Sequence, residues 1–319
     1  MVLVVIFLIL GLIFIIKGAD IFVDGIASIA RYLKVSTFVI ALTVVAFGTS
    51  APELAISFTG IINGNDNLVF ANVVGSSIVN ILLILGIASL IHPIKVKNAT
   101  VKKEIPMMVL MYSVLVFLYM DNIFIPNASK SLTRADGAIL LLFFAVFIYY
   151  LFTIIKNSRE NFDEKNNKPA FGKFESVAYS VIGLVMIILG SNLIVDNSVL
   201  IAESLNVSEK IISMTIVTIG TSLPEIIMSV VSVKKNEFDF TLGNIIGTNI
   251  FNIGVVLGLP ILTCGAIHPT TFNIVDMAVL LLSAILLLLF ASNDRNISRK
   301  EGIIFLVVFL LYYTYLFLA

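Results

Sequence analysis

Apolar runs of roughly twenty residues, separated by short polar breaks, follow one another along almost the whole chain, and a run of that length is what one helix needs to cross a bilayer. In hydrocarbon each backbone N–H and C=O must find a partner within its own segment, so such runs fold as helices. Ten are expected, beginning near residues 2, 36, 68, 105, 134, 175, 208, 239, 272 and 302. A mean hydropathy of +1.08 with 13% charged side chains excludes a soluble globular domain, in which about a quarter are charged. The chain therefore reads as an all-α polytopic membrane protein. Its opening, Met1-Val2-Leu3-Val4-Val5-Ile6, carries no basic segment or small-residue cleavage site, so the first run is expected to be a retained membrane helix.

Charge placement predicts orientation. Twenty basic and twenty acidic residues balance, and no basic tract suggests a nucleic-acid partner. Arg31 and Lys34, Lys95 to Lys103, Lys156 to Lys173, Lys234 and Lys235, and Arg295 to Lys300 all fall after odd-numbered runs, whereas only Lys130, Arg134 and Lys210 fall on the other side. Basic residues collect in short cytoplasmic loops, which predicts both termini outside and an integral protein of the cell membrane. The single cysteine, Cys264, excludes an internal disulfide and a thiolate metal cluster.

The chain also repeats itself. An offset of 172 pairs Gly18 with Gly190, Asp24 with Asp196, Glu53 with Glu225, Asn72 with Asn244, Gly75 with Gly247, Asn80 with Asn252 and Gly86 with Gly258, without a gap from Gly11 to Gly86. Five runs per copy force the second copy into the membrane upside down relative to the first. The expected plan is two inverted-topology five-helix repeats, residues 1–155 and 175–319, joined by a polar cytoplasmic linker at 156–174. In such plans the substrate site lies at the midplane, on interrupted helices.

Two pairs of motifs sit at those interruptions. Gly48-Thr49-Ser50-Ala51-Pro52-Glu53 recurs as Gly220-Thr221-Ser222-Leu223-Pro224-Glu225, and each puts a carboxylate where an ionisable side chain costs about 2.5 to 3.5 kcal/mol to insert. Pro52 lacks an N–H and its ring clashes with the Gly48 carbonyl, so the helix should break there. Thr49, Ser50, Glu53 and Ser57 share one helix face, as do Thr221, Ser222, Glu225 and Ser229. The second pair, Asn72-Val-Val-Gly75-Ser76-Ser77-Ile-Val-Asn80 and Asn244-Ile-Ile-Gly247-Thr248-Asn249-Ile-Phe-Asn252, adds a polar stripe through Ser76 and Asn80, or Thr248 and Asn252, with glycines that let backbones approach. Carboxylates, amide oxygens and hydroxyls without His or Cys suit a hard cation, calcium or sodium, over a transition metal.

These doubled segments resemble the alpha repeats of the sodium/calcium exchanger family, within the cation/calcium antiporter superfamily. The resemblance implies ten helices, exchange of sodium for calcium by alternating access with one copy sufficient for transport, no cofactor beyond the transported ions, and ligation by Glu53, Glu225, Thr49, Ser50, Thr221, Ser222, Ser76, Thr248, Asn80 and Asn252, with backbone carbonyls from Ala46 and Thr218. Asn252 stands where potassium-dependent relatives typically carry Asp, which implies potassium independence. Ala71 replaces the glycine that opens the other copy at Gly243, a matter of packing. The short central linker leaves no room for large regulatory domains.

Blander roles compete at single positions. Ser and Thr near the breaks can bond back to helix carbonyls, and Asn80 and Asn252 can act as interhelical glue. Lys17, opposite Leu189 in the other copy, reads as a snorkelling side chain. Asp24 and Asp196 read as interface anchors, and His92 and His268, each before a proline or near a helix end, as helix termination. Asn127-Ala-Ser129 and Asn206-Val-Ser208 match glycosylation acceptors. Proton/calcium exchange is the nearest rival function, although the Gly-Asn-x-x-Glu pattern usual there is missing. An intramembrane hydrolase would need Gly-x-Gly-Asp or His-Glu-x-x-His, and neither occurs. A passive channel would differ in needing no counter-ion.

Overall fold

The structure, a computed structural model, describes residues 2–121, 130–160, 169–204 and 218–318. Both glycosylation acceptors, Lys165, Lys168, Lys210, the start of the seventh run and linker residues 161–168 lie outside these residues. The helices are α1 (Val2–Leu33), α2 (Thr37–Thr49), α3 (Ala51–Ile62), α4 (Asp66–Ile91), α5 (Ile105–Tyr119), α6 (Arg134–Glu160), α7 (Lys173–Ser204), α8 (Thr218–Thr221), α9 (Leu223–Lys234), α10 (Phe238–Cys264), α11 (Ile274–Asn293) and α12 (Arg299–Leu318). Six of them, α1, α4, α6, α7, α10 and α11, are long and apolar enough to cross a membrane, and the bent pair α2 and α3 makes a seventh candidate. One two-stranded rung, β1 (Ile94–Lys95) with antiparallel β2 (Asn296–Ile297), completes the named elements.

The two repeats meet along α1 and α7, and glycine decides how. A Cβ on Gly11 would lie 2.9 Å from the Gly190 carbonyl oxygen, one on Gly18 would lie 2.8 Å from that of Gly183, and one on Gly25 would lie 2.9 Å from that of Ser176. Seven residues are close to two helical turns, so the small positions form one stripe on each helix and the backbones touch along it. Residue numbers rise on one helix as they fall on the other, so the pair is antiparallel. Since Gly11 and Gly18 are the 172-offset counterparts of Gly183 and Gly190, the same patch of each repeat meets its own copy, as in an isologous twofold contact. Equivalent helices running in opposite directions are the geometric signature of inverted repeats.

The last helix of each repeat crosses to the other. Gly137 of α6 backs onto Gly258 of α10, with a Cβ 2.7 Å from its carbonyl oxygen, and Gly302 of α12 backs onto Gly86 of α4 at 3.0 Å. Here the offset is 165, because the connection into α12 is seven residues shorter. The shifted register is visible in the caps: Thr133 accepts and donates hydrogen bonds with Asp136 as Ser298 does with Glu301. Under these outer helices, 72% and 83% of the most apolar eighteen-residue stretches of α4 and α10 are buried, against 17% for α6, so the motif-bearing helices form the interior.

Polar anchors lie at the predicted cytoplasmic end. Lys235 pairs with Asp24 at 2.8 Å and Asp20 at 3.3 Å, Arg31 with Glu237 at 3.9 Å, and Lys97 with Asp239. Asp24 is thus an anchor in an ion pair, while Asp196 is exposed and Lys17 points outward.

The stripe has a measurable consequence. Gly183→Leu should destabilise the protein by about 1 to 3 kcal/mol through overpacking, whereas Val185→Leu, at a site 48% exposed on the same helix, should stay within about 0.5 kcal/mol; thermal unfolding in detergent checks both.

Candidate functional site

Both predicted breaks form, in the same geometry. Ser50 (φ −84°, ψ 5°) interrupts α2 and α3, and Ser222 (φ −86°, ψ 0°) interrupts α8 and α9, with Pro52 and Pro224 in the first turn of the following helix. The first break bends the axis by 41°. Proline is tolerated there because first-turn N–H groups lack intrahelical acceptors in any case, so the sequence places each break two residues ahead of its proline. Glu53 and Glu225 then fall in the first turns of α3 and α9, where the helix dipole favours negative charge.

The facing helices carry a second irregularity. α4 winds as a π-helix from Val79 to Leu85 and α10 from Asn252 to Leu257, starting beside Asn80 and at Asn252. Such wide turns give up ideal hydrogen bonding and collect at functional sites. α10 also rides directly on α2: a Cβ on Gly247 would lie 2.4 Å from the Leu42 carbonyl oxygen, and one on Gly243 2.5 Å from that of Phe38.

These elements enclose a buried polar cluster. Glu53 and Glu225 are each 1% exposed and close enough for their charges to act on one another. None of their four carboxylate oxygens has a hydrogen-bond partner among the described residues. The same holds for the hydroxyls of Ser50, Ser76, Ser222 and Thr248, for Asn80 Oδ1 and for both amide atoms of Asn252. Thr49 lies beside the Glu225 carboxylate, its hydroxyl donating to the Ala46 carbonyl at 3.4 Å. That carbonyl also accepts the Ser50 N–H at 3.2 Å, so it is already engaged. Thr221 is half-buried, and Thr218 lies in α8 at the position equivalent to Ala46.

The two other buried carboxylates provide the contrast. Glu104 accepts the Tyr150 hydroxyl, and Asp276 accepts the Tyr312 hydroxyl at 2.9 Å and the Asn273 N–H at 2.7 Å. They too are offset by 172. A buried acidic group without a donor costs several kcal/mol; Glu104 and Asp276 each accept from a tyrosine hydroxyl, whereas among the described residues the Thr49 hydroxyl is the neighbour of the Glu225 carboxylate and no donor bonds that of Glu53. Lys17, the basic residue within the first run, is exposed.

Several polar residues of the cluster go beyond the expected set. Ser57, Ser229, Ser77 and Asn244 are buried with partnerless side-chain atoms. Asn72 Nδ2 donates to the Glu53 carbonyl oxygen at 3.2 Å, and Asn80 Nδ2 to Asn249 Oδ1 at 3.1 Å. Asn249 was legible only as one more polar residue, three before Asn252, in an apolar run. No group of three or more His, Cys, Asp or Glu side chains that could hold a metal occurs among the described residues. The cluster is instead two carboxylates with many neutral oxygens, a set that can strip water from a hard cation without holding it as a charged cage would.

A family model described as sodium/calcium exchanger protein matches residues 3–153 and 175–318. The chain is 31% identical to the sodium/calcium exchanger MaX1 of Methanosarcina acetivorans over 97% of each chain, and 31% identical to the inner membrane protein YrbG of Escherichia coli over 93% of this chain and 91% of that one. Its fold is similar to the solved structure of the sodium-calcium exchanger NCX_Mj, with a TM-score of 0.83, 35% identity and 98% of each chain covered.

The partnerless carboxylates generate a prediction of sign. In buffer free of sodium and divalent ions, Glu53→Gln and Glu225→Gln should each melt above the unsubstituted protein, by the equivalent of about 1 to 3 kcal/mol, because a neutral amide of the same shape avoids burying a bare charge. A lower melting temperature for both would contradict the burial argument.

Proposed function

The chain belongs to the sodium/calcium exchanger protein family, a family of cation/calcium antiporters and not of enzymes, and from that membership we propose that it exchanges sodium for calcium across the cell membrane by alternating access, electrogenically and without potassium. The observation that carries this reading is the pair of buried, partnerless carboxylates at equivalent helix breaks. Two negative charges balance one calcium ion, and the Thr49, Ser50, Ser76 and Asn80 oxygens with those of Thr221, Ser222, Thr248 and Asn252 complete its shell. The Thr218 carbonyl adds a further oxygen, and that of Ala46 joins when the Thr49 hydroxyl turns away. Sodium, similar in size and equally fond of oxygen, competes for the same ligands, and that competition couples the two flows. The neutral amide of Asn252 withholds the third carboxylate that potassium dependence would use.

An electrogenic ratio would sustain the steeper calcium gradient. At three sodium ions per calcium, a tenfold sodium gradient supplies about 4 kcal/mol and 100 mV on the one net charge about 2.3 more. Together they sustain a calcium gradient of between about four and five decades, whereas neutral two-for-one exchange sustains about two. Ten spans, with the repeats at 1–155 and 175–319 and both termini outside, complete the proposal.

Radioactive calcium uptake into proteoliposomes tests the site and its coupling ion. An outward sodium gradient without potassium should drive uptake, a potassium diffusion potential set with valinomycin in a separate arm should change its rate, and Glu53→Gln or Glu225→Gln should each lower it by about a hundredfold or more, the cost of losing a charged ligand. Uptake driven by a pH gradient without sodium would replace the proposal with proton/calcium exchange, a potassium requirement would overturn the independence, and retained transport in both variants would remove the site. Orientation is tested separately: in a Cys264→Ser background, Asn98→Cys should react with an impermeant maleimide from the cytoplasmic side alone, and Thr270→Cys from the outside alone.

A further inference from the structure

Resting on the cation-site reading, we propose that Asn249 is a positioning residue: it turns the Asn80 amide so that its carbonyl oxygen faces the exchanged ion, and it does so in one half of the site only. Three side chains from three helices form the relay. Asn249 Nδ2 donates to the Met108 sulfur at 3.7 Å, and Asn249 Oδ1 accepts from Asn80 Nδ2 at 3.1 Å. Asn80 Oδ1 is left buried with no partner. A thioether sulfur has no proton to give, so Asn249 must offer it the NH2 group. Its oxygen then points at Asn80, and Asn80 must answer with its own NH2. Were Asn249 turned over, its oxygen would oppose the sulfur lone pairs and its NH2 would occupy Asn80 Oδ1, taking that oxygen away from any cation. The weak acceptor at the end of the chain therefore selects which atom is presented at the front.

The opposite half has no such device. The 172-offset counterparts of Met108, Asn249 and Asn80 are Leu280, Ser77 and Asn252. Leu280 has no acceptor, and among the described residues the Ser77 hydroxyl has no partner and both amide atoms of Asn252 are unbonded. Asn80 is committed as an oxygen ligand, while Asn252 is free to rotate as the occupying ion changes. This inequality separates the two halves of a nearly twofold site.

Sodium-driven calcium uptake by the full-length protein in proteoliposomes tests the relay, with half-saturating calcium and maximal rate measured for Asn249→Ala, Asn80→Ala, the double variant and Met108→Leu. Asn249→Ala should raise half-saturating calcium by about five- to tenfold, the worth of one oriented hydrogen bond, with maximal rate within about twofold. The double variant should match Asn80→Ala alone, because Asn249 acts through Asn80. Met108→Leu should shift half-saturation in the same direction by about two- to threefold, and that shift should vanish in the Asn80→Ala background. Multiplicative effects in the double variant, or an unshifted Asn249→Ala, overturn the proposal; should Asn249→Ala fail to fold, an unshifted Met108→Leu does so. Glu225→Gln separates the two readings: retained uptake there removes the cation site itself, whereas lost uptake beside an unshifted Asn249→Ala removes the relay alone.

Discussion

A carboxylate buried without a bonded donor is among the least favourable arrangements a protein can contain, and among the described residues this fold shows two, close enough for their charges to act on one another. The penalty for a single buried ion is several kcal/mol even after relaxation, and mutual repulsion adds to it. The same molecule shows how it treats acids with a structural job, giving Glu104 and Asp276 tyrosine hydroxyls. With no bonded donor among the described residues, Glu53 and Glu225 concentrate negative charge at one place, and in the proposed exchange the oxygens of Ser50, Ser76, Ser222, Thr248 and Asn80 are the neutral ligands that share the cation.

Holding that cluster requires rigid walls brought very close. Apolar side chains gain little by leaving lipid for one another, so association in a membrane depends on packing and backbone proximity. Glycines meet that requirement at each junction between repeats: Gly11, Gly18, Gly183 and Gly190 between α1 and α7, Gly137 with Gly258 and Gly86 with Gly302 where the last helices cross over, and Gly243 and Gly247 against α2. The crossing helices sheathe α4 and α10, so the motif helices are locked from both sides while their π turns and breaks keep local irregularity at the site.

The twofold relation is approximate, and the two copies differ in their polar contacts. Ser232 and Thr241 share a hydrogen bond of 2.6 Å where their counterparts Gly60 and Val69 make apolar contact. Asn72 ties down the Glu53 carbonyl, yet Asn244 bonds nothing among the described residues. Two ions of different charge and number use one set of ligands in the proposed exchange, and a perfectly symmetric cage would give neither half a distinct task.

Much of this was written in local chemistry. Hydropathy marked the helical segments, Pro52 and Pro224 fixed the breaks, and the 172-residue offset announced inverted copies, because each depends on a residue's own backbone or on its spacing along one helix. The capping boxes at Thr133 and Ser298 carried the 165-residue register of the last helices, a signal visible in sequence once the shorter connection is allowed for. Folding in three dimensions settled the rest: that Gly137 meets Gly258, that Tyr150 and not a lysine reaches Glu104, that the Ala46 carbonyl is already engaged, and that Asn249 lies between Met108 and Asn80. Those contacts join residues tens to hundreds of positions apart, and whether a buried oxygen finds a donor depends on which distant side chain arrives beside it, a quantity that no periodicity or motif along the chain encodes.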